Sequence, residues 1–179
     1  AIIGCGRIGS VHARAITETL PMVDLVCADV EPRRATDLAN RVGVHAVDIA
    51  DVWDRPNLRA VAICSSTTTH VDYICAAAEA GVAVFCEKPV SLDLDEVDRA
   101  VRAVTDSDIP FMVGFHKRFD PTHQATKQAV VDGRVGDVHL LRITTRDPQP
   151  PPLDYIAVSG GIFLDMTIHD FDMARFLVD

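Results

Sequence analysis

An α/β fold organised on a parallel sheet is the fold class this sequence predicts, and three observations carry it. Short apolar runs alternate with longer amphipathic segments, turn residues stand at the boundaries between them, and a glycine-rich turn joins the first run to the first helical segment. The apolar runs are 1–4, 25–29, 60–64, 82–87 and 111–115, each of strand length and rich in Val, Ile, Ala or Phe. Strands of this kind, apolar throughout and not alternating, belong in a sheet covered on both faces.

The helical segments follow in order at 8–19, 32–42, 70–80 and 93–104. Pro32 suits a first helical turn, Gly43 and Gly81 stand just past helix ends, and Ser91 precedes an acid-rich first turn. The pattern changes after Phe115. A further helix is expected at 121–132, then a strand of a second sheet at 137–145, an extended proline-rich stretch "PQPPPLDY" at 148–155, and a helix at 162–178. The domain boundaries expected are 1–117 for the first domain and 118–179 for the start of a second.

Composition narrows the function classes. Of 179 residues 48% are hydrophobic, which is enough to bury one full domain and part of another. The formal charge is −9 and no basic run is present, which excludes a surface that follows a phosphate backbone; no nucleic-acid partner is expected. No apolar run approaches the ~20 residues that span a bilayer, and the opening residues lack a secretion-signal pattern. The expectation is a soluble, cytoplasmic chain with no membrane partner. Five cysteines, at 5, 27, 64, 75 and 86, lack any C-x-x-C pair and read as reduced, mostly buried thiols; no metal site is expected.

The first chemical signal is "AIIGCGRIGSVHARA", in which Gly4, Gly6 and Gly9 form G-x-G-x-x-G between a strand and a helix. Gly4 serves the tight turn, Gly6 lets backbone approach a pyrophosphate, and Gly9 allows helix to pack on strand. The amides of the first turn, which includes Arg7 and Ile8, face the phosphates with the positive end of the helix dipole. Asp29 stands 20 residues after Gly9 at the end of the second strand, where a carboxylate accepts from ribose hydroxyls. The pairing of glycines and acid predicts a Rossmann dinucleotide-binding domain. Asp29 repels a 2′-phosphate and so favours NAD over NADP, although Arg33 and Arg34 are near enough in sequence to pair with such a phosphate.

The second signal is "CEKPVS". The carboxyl end of a strand in an open α/β sheet borders the ligand crevice, so Glu87 and Lys88 are expected beside the cofactor. Lys88 there donates to a substrate hydroxyl and stabilises the developing alkoxide; the alternative is an ammonium snorkelling to water. Ser66, at the end of the third run, borders the same crevice. His12 and His70 are placed to approach the cofactor, with helix-face packing and capping as the plainer reading.

The third signal is "GGIFLDMTIHDFD". Asp165, His169 and Asp172 recur at i, i+4 and i+7, within an arc of roughly 60° on a regular helix. They make one polar stripe on a segment otherwise apolar almost all round and therefore expected to be buried. A histidine held by carboxylates is a base near neutral pH. Metal binding by the Asp-x-x-x-His pair lacks a third ligand of suitable spacing.

Taken together, "GCGRIG", "CEKPVS", "GFHKRFD" and "GGIFLDMTIHDFD" resemble the glucose-fructose oxidoreductase and inositol dehydrogenase family over essentially the whole chain. The resemblance implies a Rossmann domain followed by the beginning of an α+β open-sheet domain. It implies NAD-dependent oxidation of a small polyol, myo-inositol to its 2-keto cyclitol scyllo-inosose. Lys88, Asp165 and His169 match the family's catalytic positions, and Asp172 and Arg118 match substrate-binding positions. Lys117 and Arg118 as plain surface charges remain the alternative. It further implies a homo-tetramer, and because relatives are longer, a fragment. A dehydrogenase for another sugar or cyclitol, or a nicotinamide-binding module without turnover, stays open.

Overall fold

The computed structural model describes residues 1–156 and 159–178. It forms two compact units, Ala1–Gly114 and Phe115–Asp179.

The first unit is a six-stranded sheet with every pairing parallel, in the order β3-β2-β1-β4-β5-β6. The strands are β1 (Ile2–Ile3), β2 (Val26–Ala28), β3 (His45–Ala46), β4 (Ala60–Ile63), β5 (Ala83–Cys86) and β6 (Phe111–Val113). Helices α1 (Arg7–Thr19), α2 (Pro32–Val42), α3 (Thr67–Glu79) and α4 (Leu94–Asp106) make the crossovers. Strand order runs outward in both directions from the β1–β4 pair, so the chain reverses there and leaves a crevice at the carboxyl ends of those strands.

Successive side chains of a strand point to opposite faces, and β1 divides the core accordingly. Ile2 lies with Ala13, Cys27, Ala35 and Leu38 on the α1–α2 side. Ile3 lies with Ile63, Ile74, Val84 and Ala100 on the α3–α4 side. Burial on both faces explains why the strands read as unbroken apolar runs. The five expected strands are present with trimmed ends. The sixth, β3, is two exposed residues at the sheet edge and carries no apolar run by which it could be read. Helix α3 begins three residues before the expected start, behind Ser66 as its N-cap residue. The acid-rich start of α4 is capped by Asp93, whose carboxylate accepts from the Asp95 amide at 2.8 Å, while Ser91 Oγ accepts from the Asp93 amide.

The second unit holds α5 (Pro121–Val131), a short α6 (Leu153–Ile156), a π-helical turn at Phe163–Thr167 and α7 (Ile168–Val178). Asp120 caps α5 by accepting from Thr122 and His123. Three expectations are corrected here. The stretch 148–155 is not extended to its end: helix α6 starts at Leu153, directly after the last proline, where the backbone regains its amide donors. Residues 137–145 are not a strand: a strand exists by its ladder, and among the described residues of this unit no second strand offers one. The expected regular helix at 162–178 is interrupted by the π turn, and Ile162, Phe163 and Phe171 are exposed where burial all round was expected. Its buried face is Asp172, Met173 and Leu177.

Around the glycine turn the backbone leaves no room for side chains. Gly4 has φ +96°, and a Cβ there would stand 2.5 Å from the Ser65 nitrogen. A Cβ on Gly9 would stand 1.9 Å from the Gly4 carbonyl oxygen. Gly6 is different: nothing lies within 4 Å of its Cβ position. Gly9→Ala is therefore expected to cost about 3 kcal/mol, because backbone rather than a flexible side chain must move. Gly6→Ala should change stability by less than about 1 kcal/mol. Urea denaturation of the two variants checks the contrast, and equal losses would refute it.

Candidate active site

Helix α1 starts at the crevice with Gly6 as its N-cap, without a side-chain cap and without an acidic residue in its first turn. An N-terminus so composed presents backbone amides and positive dipole to whatever lies before it. Gly6 and Arg7 are exposed and Ile8 is half-buried, whereas Gly4 and Gly9 are buried. The open space at Gly6 is the part of the turn that intramolecular packing does not require, and it fits the close approach of a pyrophosphate.

Asp29 closes the β2 side. Only 8% exposed, it accepts from the Cys5 amide at 2.6 Å through Oδ2 and from the Glu31 amide at 2.9 Å through Oδ1. The first bond ties the end of β2 to the glycine turn. Each carboxylate oxygen can accept more than one bond, so Asp29 keeps capacity for ribose hydroxyls. Arg34, considered for a 2′-phosphate, binds Glu31 at 2.6 Å, and Arg33 is exposed.

On the other side of the crevice β5 ends in Glu87, Lys88 and Pro89, with a cis Lys88–Pro89 bond. Lys88 is half-buried and Pro89 buried. The Glu87 carboxylate meets His12 Nε2 of α1 at 2.6 Å. The His12 ring sets its edge against Phe85, with centroids 4.9 Å apart. Burial alone would raise the Glu87 pKa. The hydrogen bond and charge of His12, with the amide and charge of Lys88, outweigh it and hold the carboxyl below the ordinary glutamate value.

His70 on α3 is 1% exposed, and its two ring nitrogens lie near two carbonyls. Its Nδ1 stands 2.8 Å from the Pro89 oxygen and its Nε2 3.2 Å from the Ser65 oxygen. Burial lowers its pKa more than the two carbonyls and Glu87 raise it. A neutral imidazole has one N–H, and the shorter contact assigns it to Nδ1, donating to Pro89. Neither His12 nor His70 stands out in the sequence as more than a helix residue; their partners lie 75 and 19 positions away.

In the second unit, Arg118 and Asp172 are bound to each other. The guanidinium donates through Nε at 2.8 Å and through Nη2 at 2.6 Å, and also lies over the Phe176 ring. Lys117 donates to Asp170 at 2.9 Å, and Thr145 donates to the same oxygen at 2.7 Å. Burial would raise the Asp170 pKa, but these two partners bring it below the ordinary aspartate value. His169 packs edge-on against His116, centroids 4.8 Å apart, and against Phe115 at 6.2 Å. Asp165 lies inside the π turn, so the three acidic and histidine positions are not spaced by regular helical steps. Among the described residues no helix is long and apolar enough to cross a membrane.

The depressed Glu87 pKa has a signed consequence. Its contribution to stability is full above the ordinary glutamate pKa of about 4.3 and is lost as the pH falls from there through the lower folded value. The stability gap between the wild type and Glu87→Gln should close as the pH falls below about 4.3. Urea denaturation across pH 2 to 5 measures this; a gap that widens below about pH 4.3 would contradict it.

Comparison with known proteins agrees with this geometry. Residues 1–115 match the model of an oxidoreductase family with an NAD-binding Rossmann fold, and residues 123–179 match a GFO/IDH/MocA C-terminal domain. A myo-inositol 2-dehydrogenase of Thermotoga maritima is 48% identical over 99% of this chain and 54% of its own length. A crystal structure of a myo-inositol dehydrogenase from Corynebacterium glutamicum superposes with a TM-score of 0.90 at 44% identity, over 98% of this chain and 53% of that one. A scyllo-inositol dehydrogenase from Lactobacillus casei, solved with NAD(H) and scyllo-inositol, gives 0.83 at 31% identity, over 99% of this chain and 55% of that one. The chain thus spans about half the length of these relatives. With its glycine turn, its parallel sheet and well over half its residues matched, the chain belongs to the GFO/IDH/MocA oxidoreductase family with an NAD-binding Rossmann fold.

Proposed function

We propose that this chain carries the NAD-binding part, and the first portion of the substrate part, of a dehydrogenase that oxidises myo-inositol to its 2-keto cyclitol, scyllo-inosose. The carrying observation is the glycine turn with open space at Gly6 and Asp29 bonded to its far edge. In this reading Ala1–Gly114 is the cofactor unit, and the residues from Phe115 begin the substrate and assembly domain of a homo-oligomer.

Gly4, Gly6, Arg7, Ile8 and Gly9 hold the pyrophosphate, the first-turn amides doing so without a competing acid. Asp29 takes the adenosine ribose hydroxyls and disfavours a 2′-phosphate, while Glu31 engages Arg34, so NAD is preferred over NADP. Ser66, Glu87 and Lys88 border the nicotinamide half. Bound NAD supplies a hydride acceptor. Lys88 donates to the substrate hydroxyl and stabilises the negative charge that develops on its oxygen. His169 takes the hydroxyl proton on its ring, with Asp165 as the carboxylate that orients the substrate and the base. Asp172 and Arg118 serve the substrate side as a pair, since each already binds the other. A polyol suits such a site because its hydroxyls match charged donors and acceptors.

The reading is tested by following NADH formation from NAD with myo-inositol, scyllo-inositol and glucose. Turnover is expected with myo-inositol foremost. His169→Ala should lower kcat by about 10²–10⁴-fold while NADH binding stays within a factor of two. NADH binding without turnover on any polyol would favour a binding module, and faster turnover of scyllo-inositol or glucose would reassign the substrate.

A further inference from the structure

The sheet's hydrogen-bond ladder stops just short of the lysine. The Glu87 amide donates to the Ile63 carbonyl at 2.9 Å, and the Gly114 amide donates to the Cys86 carbonyl at 2.8 Å. Pro89 brings no amide of its own. The Lys88 amide turns back to the Glu87 carboxylate, and side chains from two different helices reach the residues on either side of Lys88.

On the amino side, His12 from α1 grips the Glu87 carboxylate at 2.6 Å. Glu87 is closely housed: a Cβ added to Gly114 would stand 3.1 Å from its Oε2. On the carboxyl side, His70 from α3 donates from Nδ1 to the Pro89 carbonyl at 2.8 Å, and its Nε2 faces the Ser65 carbonyl. Ser65 stands at the end of β4, immediately before the N-cap of α3. His12 lies one turn into the helix whose N-terminus faces the pyrophosphate site. Both histidines reach the turn from elements that also border the cofactor crevice.

We propose that His12 and His70 are positioning residues for Lys88: they hold residues 87 and 89 from opposite sides and so set the direction in which the ammonium points. The proposal rests on Lys88 acting at the crevice, as read above. Its physical basis is that Lys88 has four rotatable side-chain bonds, so where its ammonium can reach depends on how firmly the backbone origin is held. A buried imidazole donating to a carbonyl fixes such an origin at the cost of little entropy, since its ring is already packed.

The chain has three lysines, Lys88, Lys117 and Lys127, which makes a direct test practical. Reductive methylation with ¹³C-formaldehyde gives each dimethyl-lysine its own resonance, and loss of a line in Lys88→Arg assigns Lys88. Spectra are compared for the wild type, His12→Leu, His70→Leu and His70→Asn, with thermal unfolding recorded for each. Both leucine variants are expected to move the Lys88 line towards the free-lysine position and narrow it, with Lys117 and Lys127 unmoved. His70→Asn, whose amide keeps a donor where Nδ1 stood, should restore the wild-type line and keep NADH affinity, while His70→Leu weakens NADH binding about tenfold. If His70→Leu fails to fold, His12→Leu carries the test, because the His12 side chain is 26% exposed and its loss opens no sealed cavity. A Lys88 line unchanged in folded leucine variants, or His70→Asn matching His70→Leu, overturns the proposal. The readout is the resonance of Lys88 itself, so it stands whether or not the chain oxidises a polyol.

Discussion

The structure turns on a place where backbone meets backbone with no side chain between. At the β1–β4 junction, Gly4 lies so near the Cys64–Ser65 peptide, and Gly9 so near the Gly4 carbonyl, that a methyl group at either would overlap main-chain atoms. That closeness lets α1 begin directly above the reversal in strand order, with its amides facing the crevice. It also places the Cys5 amide where Asp29 Oδ2 can accept from it, binding the second strand's end to the same turn. Loosening this contact would separate three things at once: the helix start, the acid and the neighbouring Ser65 turn.

Electrostatics around the crevice follow from that arrangement. The chain is acidic overall, at −9, yet the first turn of α1 contains no acid, and the acids close by are already engaged. Asp29 is bonded to two amides and Glu87 to a histidine. A phosphate-bearing ligand would therefore meet amides first, with the local negative charge drawn into hydrogen bonds. In the second unit the same economy appears as pairs, Lys117 with Asp170 and Arg118 with Asp172, which hold α7 to the segment that precedes α5.

What the sequence made legible were features repeated locally. The apolar runs of β1, β2, β4, β5 and β6, the proline at the start of α2 and the glycine fingerprint all express their structure within a few residues. The features that escaped depend on distant partners. A two-residue edge strand has no periodicity to read, and the stretch 137–145 has β-branched residues but no ladder partner among the described residues. The π turn at Phe163–Thr167 alters the angular step that an Asp165–His169–Asp172 stripe on a regular helix requires. The bond between His12 and Glu87 joins positions 75 apart, and that between Arg118 and Asp172 joins positions 54 apart; nothing in local spacing announces either.

The central claim is that the glycine turn binds a dinucleotide through its backbone amides, and the most direct measurement is an amide-resolved titration. In ¹H–¹⁵N spectra of the labelled chain, NAD should shift the amides of Gly6, Arg7, Ile8 and Gly9 most, together with Val30 and Glu31 beside Asp29, and NADP should do so only at higher concentration. Shifts confined to other strand ends, or no saturable shift at these amides, would contradict the account.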